Sequence, residues 1–230
     1  MLVPLYRIVL FFLFCVQTTA MVRAVIFGHS YVRRVGEAYH EGRLRHRGPP
    51  ELHVDFVGIG GGRVLRDFNG RDLFSKVQDV KRLRPDIVFL QVGENDLPVS
   101  EEYYVIQGIV ELVKCIIHEC HPFAIIVGQL IEFPAAKHLH DPCKFVNDRL
   151  KVEFAETEFR QRPFTPTRVT FWKHRIGLYG PDAAQYFTAD RVHLNEKGLR
   201  KFYHSLMAEV GHRAKELILR RQGPSRYHFY

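Results

Sequence analysis

The chain has 230 residues, of which 46% are hydrophobic and 25% charged. A chain of this length and composition can bury one substantial core, which excludes a disordered protein and requires no second domain. The formal charge of +8 favours anionic partners, whether acidic substrates, polyanions or membrane surfaces, but it does not choose among them.

Residues 1–20 differ from the rest of the chain. Arg7 precedes an apolar run over 8–16, and the segment ends in small residues, a pattern that resembles a signal peptide. The run is shorter than the about 20 residues of a membrane span. The alternative is that Met21 is the start and the preceding segment an upstream extension. We expect the secretory route in the first case and the cytoplasm in the second, and no transmembrane span in either.

Two observations weigh against secretion without settling the compartment. The chain contains no Asn-x-Ser/Thr acceptor for glycosylation. After residue 20 only Cys115, Cys120 and Cys143 remain, and an odd number of cysteines cannot pair fully.

Short apolar runs alternate along the chain with longer amphipathic segments. We predict strands over 22–28, 52–57, 86–92, 123–128 and 168–172, and helices over 33–47, 73–83, 101–120, 144–160 and 195–221. Such alternation predicts one α/β domain over 21–222, followed by a tail over 223–230. We expect a three-layer αβα sandwich around a five-stranded, mainly parallel, flavodoxin-like sheet.

Residues that can carry chemistry follow three of these strands or precede the last helix. Ser30 follows the first strand, the glycine turn 58–62 the second and Asn95 the third, while Asp190 and His193 come just before the last helix. In open α/β sheets the loops at the carboxyl ends of the strands form the site. We therefore expect these residues to converge on one edge of the sheet.

Acyl transfer needs these residue types. A serine hydroxyl is a poor nucleophile until a neutral imidazole takes its proton, and a carboxylate fixes the tautomer of that imidazole. Asp190 and His193 can supply this carboxylate and this imidazole from one short segment. The backbone N–H groups of Ser30 and Gly61 and the amide of Asn95 can together hold an oxyanion.

Four blocks in this order resemble the SGNH hydrolase (GDSL-type esterase) family: Gly-His-Ser at 28–30, the glycine turn at 58–62, Gly-x-Asn-Asp at 93–96 and Asp-x-x-His at 190–193. The resemblance covers residues 22 to about 210. It implies a serine esterase that hydrolyses a small or carbohydrate-borne carboxylic ester through an acyl-enzyme, without metal or cofactor.

The resemblance also implies a role for each site residue. Ser30 would be the nucleophile, His193 the base and Asp190 the residue that orients it. Ser30, Gly61 and Asn95 would be the oxyanion donors.

Two features depart from the family pattern. His29 stands where the family has Asp, which removes a carboxylate and adds a titratable ring beside the nucleophile. This leaves the triad intact but affects the expected rate and pH profile. The glycine block is ambiguous, because Gly60, Gly61 and Gly62 are consecutive, and we choose Gly61 because it follows the Gly-x-Gly opening.

Simpler interpretations of single residues remain open. Ser30 could be only the N-cap of a helix, and Asn95 could only cap the turn after its strand. His138, His140, Asp141 and Cys143 have a metal-like composition but lack the regular spacing of a structural zinc site, so we predict that their loop borders the substrate mouth.

The main alternative function is a binding module. A basic nucleic-acid- or ligand-binding protein on a retroelement-type or degenerate hydrolase scaffold would contact phosphates through its arginines, which include Arg33, Arg34, Arg43, Arg45 and Arg47. Such a binder has no need of Asp190 paired with His193, so the presence of both favours the enzyme.

Overall fold

A computed structural model describes residues 21–65, 70–155, 167–174, 177–178 and 181–223. The predicted signal peptide or extension over 1–20, nearly all of the predicted tail, and the end of the helix predicted over 144–160 lie outside these ranges. In the described part of the chain, no helix has the length and apolar character that crossing a membrane requires.

The central sheet has five strands, which all pair in parallel in the order β2-β1-β3-β4-β5. The strands are β1 (Val22–Gly28), β2 (Leu52–Gly58), β3 (Ile87–Gln91), β4 (Ala124–Gly128) and β5 (Arg168–Trp172). This is the flavodoxin-like strand order. The predicted fold class is confirmed, and each predicted strand lies within a residue of its observed position at either end.

Five α-helices of the described residues cover the two faces of the sheet. They are α1 (Ser30–His40), α2 (Val77–Arg82), α3 (Glu102–Cys120), α4 (His140–Glu153) and α5 (Glu196–Gln222). Helices α1 and α5 pack on one face, in a core cluster that includes Ala24 and Ile26, while α2, α3 and α4 pack on the other with Val25 and Phe27. Because β1 is buried on both faces, its sequence is an almost unbroken apolar run.

Helices α1, α2 and α4 differ in their boundaries from the sequence prediction. Helix α2 begins at Val77 and not at residue 73, because a 3₁₀ helix over Phe74–Lys76 precedes it. Helix α1 begins at Ser30 and ends at His40, not at residue 47, because Gly42 adopts a positive φ of 74° just after the last turn. The arginines at 43, 45 and 47 therefore lie in a loop. Helix α4 begins at His140, four residues before the predicted start, with Asp141 in its first turn, where a carboxylate favours the helix dipole.

The carboxyl ends of the strands meet at one edge of the sheet, and the strand order changes direction there between β1 and β3. Two glycines allow the chain to pack closely at this edge. A Cβ on Gly28 would collide with the carbonyl oxygen of Gln91, and one on Gly58 would collide with the backbone nitrogen of Arg33. The end of β1 therefore lies against the end of β3, and the start of α1 lies against the end of β2.

We expect two glycines of α5 to respond in opposite ways to alanine. Gly198→Ala should lower the free energy of unfolding by about 1–3 kcal/mol, because the new Cβ would collide with the carbonyl oxygen of Tyr186. Gly211→Ala should be neutral or stabilising by up to about 1 kcal/mol, since its nearest neighbour, the Cα of Gly48, would be 3.7 Å away. Urea unfolding of the two variants measures the difference, and equal effects would contradict the close packing at Gly198.

Candidate active site

Ser30 is the first residue of α1 and is partly exposed. The N-cap is His29, whose Nδ1 accepts a hydrogen bond of 3.3 Å from the backbone N–H of Tyr31. The interpretation of Ser30 as the N-cap is therefore wrong, and its hydroxyl is not used in that way. The backbone N–H of Ser30 belongs to the first turn, where N–H groups have no partner within the helix and the backbone field is positive.

Asp190 and His193 form a directly hydrogen-bonded pair. Nδ1 of His193 donates to Oδ2 of Asp190 over 2.7 Å. Oδ1 of Asp190 accepts from the hydroxyl of Thr188 at 2.6 Å and from the backbone N–H groups of Val192 and His193 at 2.9 Å each. These donors, led by the Thr188 hydroxyl and the His193 ring, lower the pKa of Asp190 well below its usual range.

The direction of this hydrogen bond fixes the imidazole. A neutral ring that carries its proton on Nδ1 presents a lone pair on Nε2. Because the side chain of His193 is about a third exposed, at 30%, this lone pair is available to an outside proton donor. Such a pair can act as an oriented base.

A second contact ties the loop of His193 to the start of α1. The hydroxyl of Tyr31 donates to the carbonyl oxygen of Val192 over 2.6 Å, so the residues that adjoin Ser30 and His193 are joined. Tyr31 is buried and packs edge to face on Phe202, with ring centroids 5.8 Å apart. Within the described residues no hydrogen bond connects Ser30 with His193 directly, and such bonds often form only once substrate is bound.

The glycine turn and the loop after β3 are held together by side chains of the Asn-Asp pair. The Asn95 amide donates to the carbonyl oxygen of Gly62 over 3.0 Å. Asp96 accepts from the N–H groups of Val64 at 3.1 Å and Leu65 at 3.0 Å. Asn95 therefore reaches across to the second loop and does not merely cap its own turn. Among the described residues, the second N–H of its amide has no hydrogen-bond acceptor.

The three consecutive glycines differ in what their N–H groups do. That of Gly62 donates to the carbonyl oxygen of Ile59 over 3.1 Å and is engaged in the turn. Gly61 has a positive φ of 67°, and in the described part of the chain no hydrogen bond engages the N–H of Gly60 or Gly61. The turn therefore offers two N–H groups to an acceptor at the sheet edge.

The ring of His29, the residue before Ser30, points into the protein. It is 1% exposed, and its Nε2 lies 2.7 Å from Oε2 of Glu94. The carboxylate that the first block lacks is thus present as Glu94 from the third block. The two residues are 65 positions apart, so no local pattern reveals their contact.

Sequence reasoning missed a row of buried polar side chains behind the site. The amide of Gln91 donates to Glu94 at 2.7 Å, and its oxygen accepts from Nε2 of His174 at 2.9 Å. Nδ1 of His174 lies 2.8 Å from the hydroxyl of Ser205, which also accepts from Trp172 at 3.1 Å. The one available signal was Gln91, a polar residue that ends an apolar strand.

Two of the residues with a metal-like composition are engaged in other contacts. Nε2 of His140 lies 3.2 Å from the carbonyl oxygen of Phe133, and the thiol of Cys143 is buried, donates to the carbonyl oxygen of Leu130 and has a pKa raised by burial. Among the described residues, no three His, Cys, Asp or Glu side chains are grouped so that they could hold a metal ion.

Comparison with known proteins identifies the fold. The chain matches no protein-family model and no curated protein sequence. Among solved structures, it is similar to a family 3 carbohydrate esterase from Clostridium thermocellum, with a TM-score of 0.59 and 17% identity over 87% of this chain and 100% of that one. The carbohydrate esterase family 3 structure from Talaromyces cellulolyticus gives 0.55 and 16%, over 86% and 98% of the two chains.

An acetyl xylan esterase is also similar, with a TM-score of 0.55 and 16% identity over 82% of this chain and 100% of that one. At such low identity these similarities establish a shared fold and leave the substrate open.

His174 should make the stability of the protein depend on pH. Burial lowers the pKa of His174 to about 4, below the about 6.5 of an unfolded chain. The unfolded state therefore takes up a proton first, and stability present above pH 6.5 is lost as the pH falls towards 4. Between pH 7.5 and pH 5 this loss should be roughly 2 kcal/mol.

Asp96 acts in the opposite direction, because burial raises its pKa to about 6 and proton uptake below that pH favours the folded state. The pH dependence of the wild-type protein therefore contains both effects, and the contribution of His174 is measured as a difference in stability between variants. Urea unfolding should show that the stability gap between the wild-type protein and His174→Gln narrows at pH 5. His118→Gln, at a side chain 83% exposed, is the matched control and should leave the pH profile unchanged. A gap that stays constant would contradict a neutral, buried His174.

Proposed function

We propose that this chain, which has the fold of the SGNH-type hydrolases, is a serine esterase that hydrolyses a small or carbohydrate-borne carboxylic ester. The observation that carries the proposal is the oriented pair of His193 and Asp190 on a loop anchored beside Ser30 by the Tyr31–Val192 hydrogen bond. A loop that served only to connect two elements would not need a carboxylate held by four donors. The esterase structures with the same fold support this choice.

In the proposed reaction, Ser30 is the nucleophile and His193 the general base. Nε2 of His193 takes the proton of the Ser30 hydroxyl as Oγ attacks the ester carbonyl, and the Asp190 carboxylate stabilises the resulting imidazolium. When the tetrahedral intermediate collapses, His193 returns the proton to the leaving alcohol. Water then attacks the acyl-enzyme by the same steps and releases the acid.

The oxyanion of the intermediate needs donors fixed in advance. The N–H of Ser30 lies at the positive end of α1, and the N–H of Gly61 and the second N–H of Asn95 are the other donors that we propose. The bond from Asn95 to Gly62 supports this assignment, because it holds the amide beside the glycine turn. No metal or cofactor has a role in these steps.

Carbohydrate-borne acetyl esters are the first substrates to test. Two of the structures with this fold are named as family 3 carbohydrate esterases, and a third as an acetyl xylan esterase. A half-exposed Asp190 and a partly exposed His193 suit a substrate that approaches from solvent at the sheet edge.

The alternative of a nucleic-acid-binding module remains a prediction that these observations do not test. Arg33 pairs with Glu37 over 2.8 Å, and Arg43 contacts both Glu41 and Glu196. Charges that are already paired within the protein contribute less to binding phosphates. We therefore place the esterase first.

Ser30→Ala and His193→Ala should each abolish hydrolysis of 4-nitrophenyl acetate almost completely. The double variant should lose little more, since nucleophile and base act as a unit. A fluorophosphonate probe should label the wild-type chain at Ser30, and peptide mapping locates the label. Ser75→Ala, at an exposed serine of the 3₁₀ helix Phe74–Lys76, is the control that should label normally. Labelling elsewhere, or losses that multiply in the double variant, would contradict the mechanism.

Asn95→Ala should lower kcat by about 10²- to 10³-fold, roughly 3 to 4 kcal/mol, with KM little changed, because its amide acts mainly in the transition state. The variant also loses the hydrogen bond to Gly62, so the thermal midpoint is measured on the same preparation. A lowered midpoint with kcat intact in the folded fraction would leave Asn95 a structural residue only.

A further inference from the structure

The residue before Ser30 and the residue before Asn95 are joined through their buried side chains. His29 is 1% exposed and Glu94 is 2% exposed, and Nε2 of the first lies 2.7 Å from Oε2 of the second. Neither group faces solvent or the mouth of the site. The proposed reaction uses neither side chain directly, yet both lie one residue from groups that it does use.

The hydrogen-bond directions around this pair are determined by its neighbours. Because Nδ1 of His29 accepts from the N–H of Tyr31, the proton of the neutral ring is on Nε2 and is donated to Glu94. The other oxygen, Oε1, accepts from the amide of Gln91 at 2.7 Å and from the N–H of Ile131 at 3.1 Å. Three donors thus hold the Glu94 carboxylate in its ionised form.

The charge on Glu94 makes this arrangement rigid. Burial alone would raise the pKa of Glu94, but its interactions with His29 and with the N–H of Ile131 outweigh that effect and lower it. A buried carboxylate that loses one of its donors is left with an uncompensated charge, which is strongly unfavourable. The first turn of α1 therefore cannot move away from the loop after β3 without breaking a costly contact.

We propose that His29 and Glu94 form a positioning pair that sets the distance between Ser30 and Asn95. The inference rests on the proposed function, since it concerns the nucleophile and an oxyanion donor of that reaction. His29 does two tasks: Nδ1 caps α1 and thereby orients Ser30, and Nε2 fixes that cap to the loop that carries Asn95. Glu94 is the acceptor of this hydrogen bond.

The two tasks of His29 can be separated by substitution. Asn can cap the helix as Nδ1 does but is too short to reach Glu94. Gln can place an amide N–H near the position of Nε2 but is a poor cap. We expect His29→Asn to lower kcat on the order of 10- to 100-fold with KM little changed, because the link is lost. His29→Gln should retain more activity than His29→Asn despite a weaker cap. His118→Asn is the matched control and should behave as wild type.

A second pair of variants tests whether Glu94 is the partner. Glu94→Gln alone should lower kcat by a similar factor, because an amide has only one acceptor oxygen for three donors. His29→Asp alone should be worse, since it removes the ring donor and buries a second carboxylate near Glu94. In the His29→Asp background, however, Glu94→Gln should raise kcat by about tenfold or more, because it removes the repulsion between two buried carboxylates. Glu94→Gln should therefore lower kcat in the wild-type background and raise it in the His29→Asp background.

The readouts separate positioning from folding and from the reaction itself. Steady-state kinetics and the rate of fluorophosphonate labelling are measured on the full chain, well below the thermal midpoint of each variant. A wild-type chain that neither labels at Ser30 nor hydrolyses esters would overturn the proposed function and the positioning role with it. A wild-type chain that reacts would overturn the positioning role alone if His29→Asn and Glu94→Gln, both folded, react at its rate. The positioning role would also fail if Glu94→Gln is harmful in both backgrounds.

Discussion

The architecture of the candidate site depends on one buried carboxylate. Glu94 accepts hydrogen bonds from the His29 ring after β1, from Gln91 at the end of β3 and from the N–H of Ile131 beyond β4. An ionised group in the interior is tolerated only when such donors compensate it. The ends of three strands are therefore fixed to one point, and they cannot shift independently.

Around this point, the loops of the sheet edge are joined in pairs. Asn95 and Asp96 bind the backbone of the loop after β2, and Tyr31 binds the loop that carries His193. The parallel sheet makes these contacts feasible, since all its strands end at the same edge. Glycines at the strand ends let the segments approach until backbone atoms touch. The fold thus supplies the edge, and a small number of polar side chains set the distances within it.

Part of the positive charge of the chain is paired with acidic side chains at the surface. Examples are Arg82 with Asp79 at 2.9 Å and Lys114 with Glu111 at 2.7 Å. Exposed pairs of this kind contribute little to stability, with a median of about 0–1 kcal/mol. The pairs reduce the number of cations that remain for an external anion, whereas the net charge of +8 already counts each pair as zero.

Some features of the protein follow from the sequence alone because their causes are local. The strands were predictable since a buried parallel strand must be apolar along its length, as in residues 22–28 and 86–92. The strand-helix alternation then implied the layers, and the four blocks implied which loops carry the site. The contact between Asp190 and His193 could also be anticipated, because they are only three positions apart.

Other features were decided only by the tertiary structure, because they depend on residues far apart in the chain. The pairing of His29 with Glu94 and the bond from Asn95 to Gly62 have no local signature. His174 could not be placed from the sequence, since it meets Gln91 and Ser205 only when β5 and α5 have packed. A buried polar group must find its partners wherever the fold brings them. The sequence therefore determines which loops meet, while packing decides which of their atoms touch.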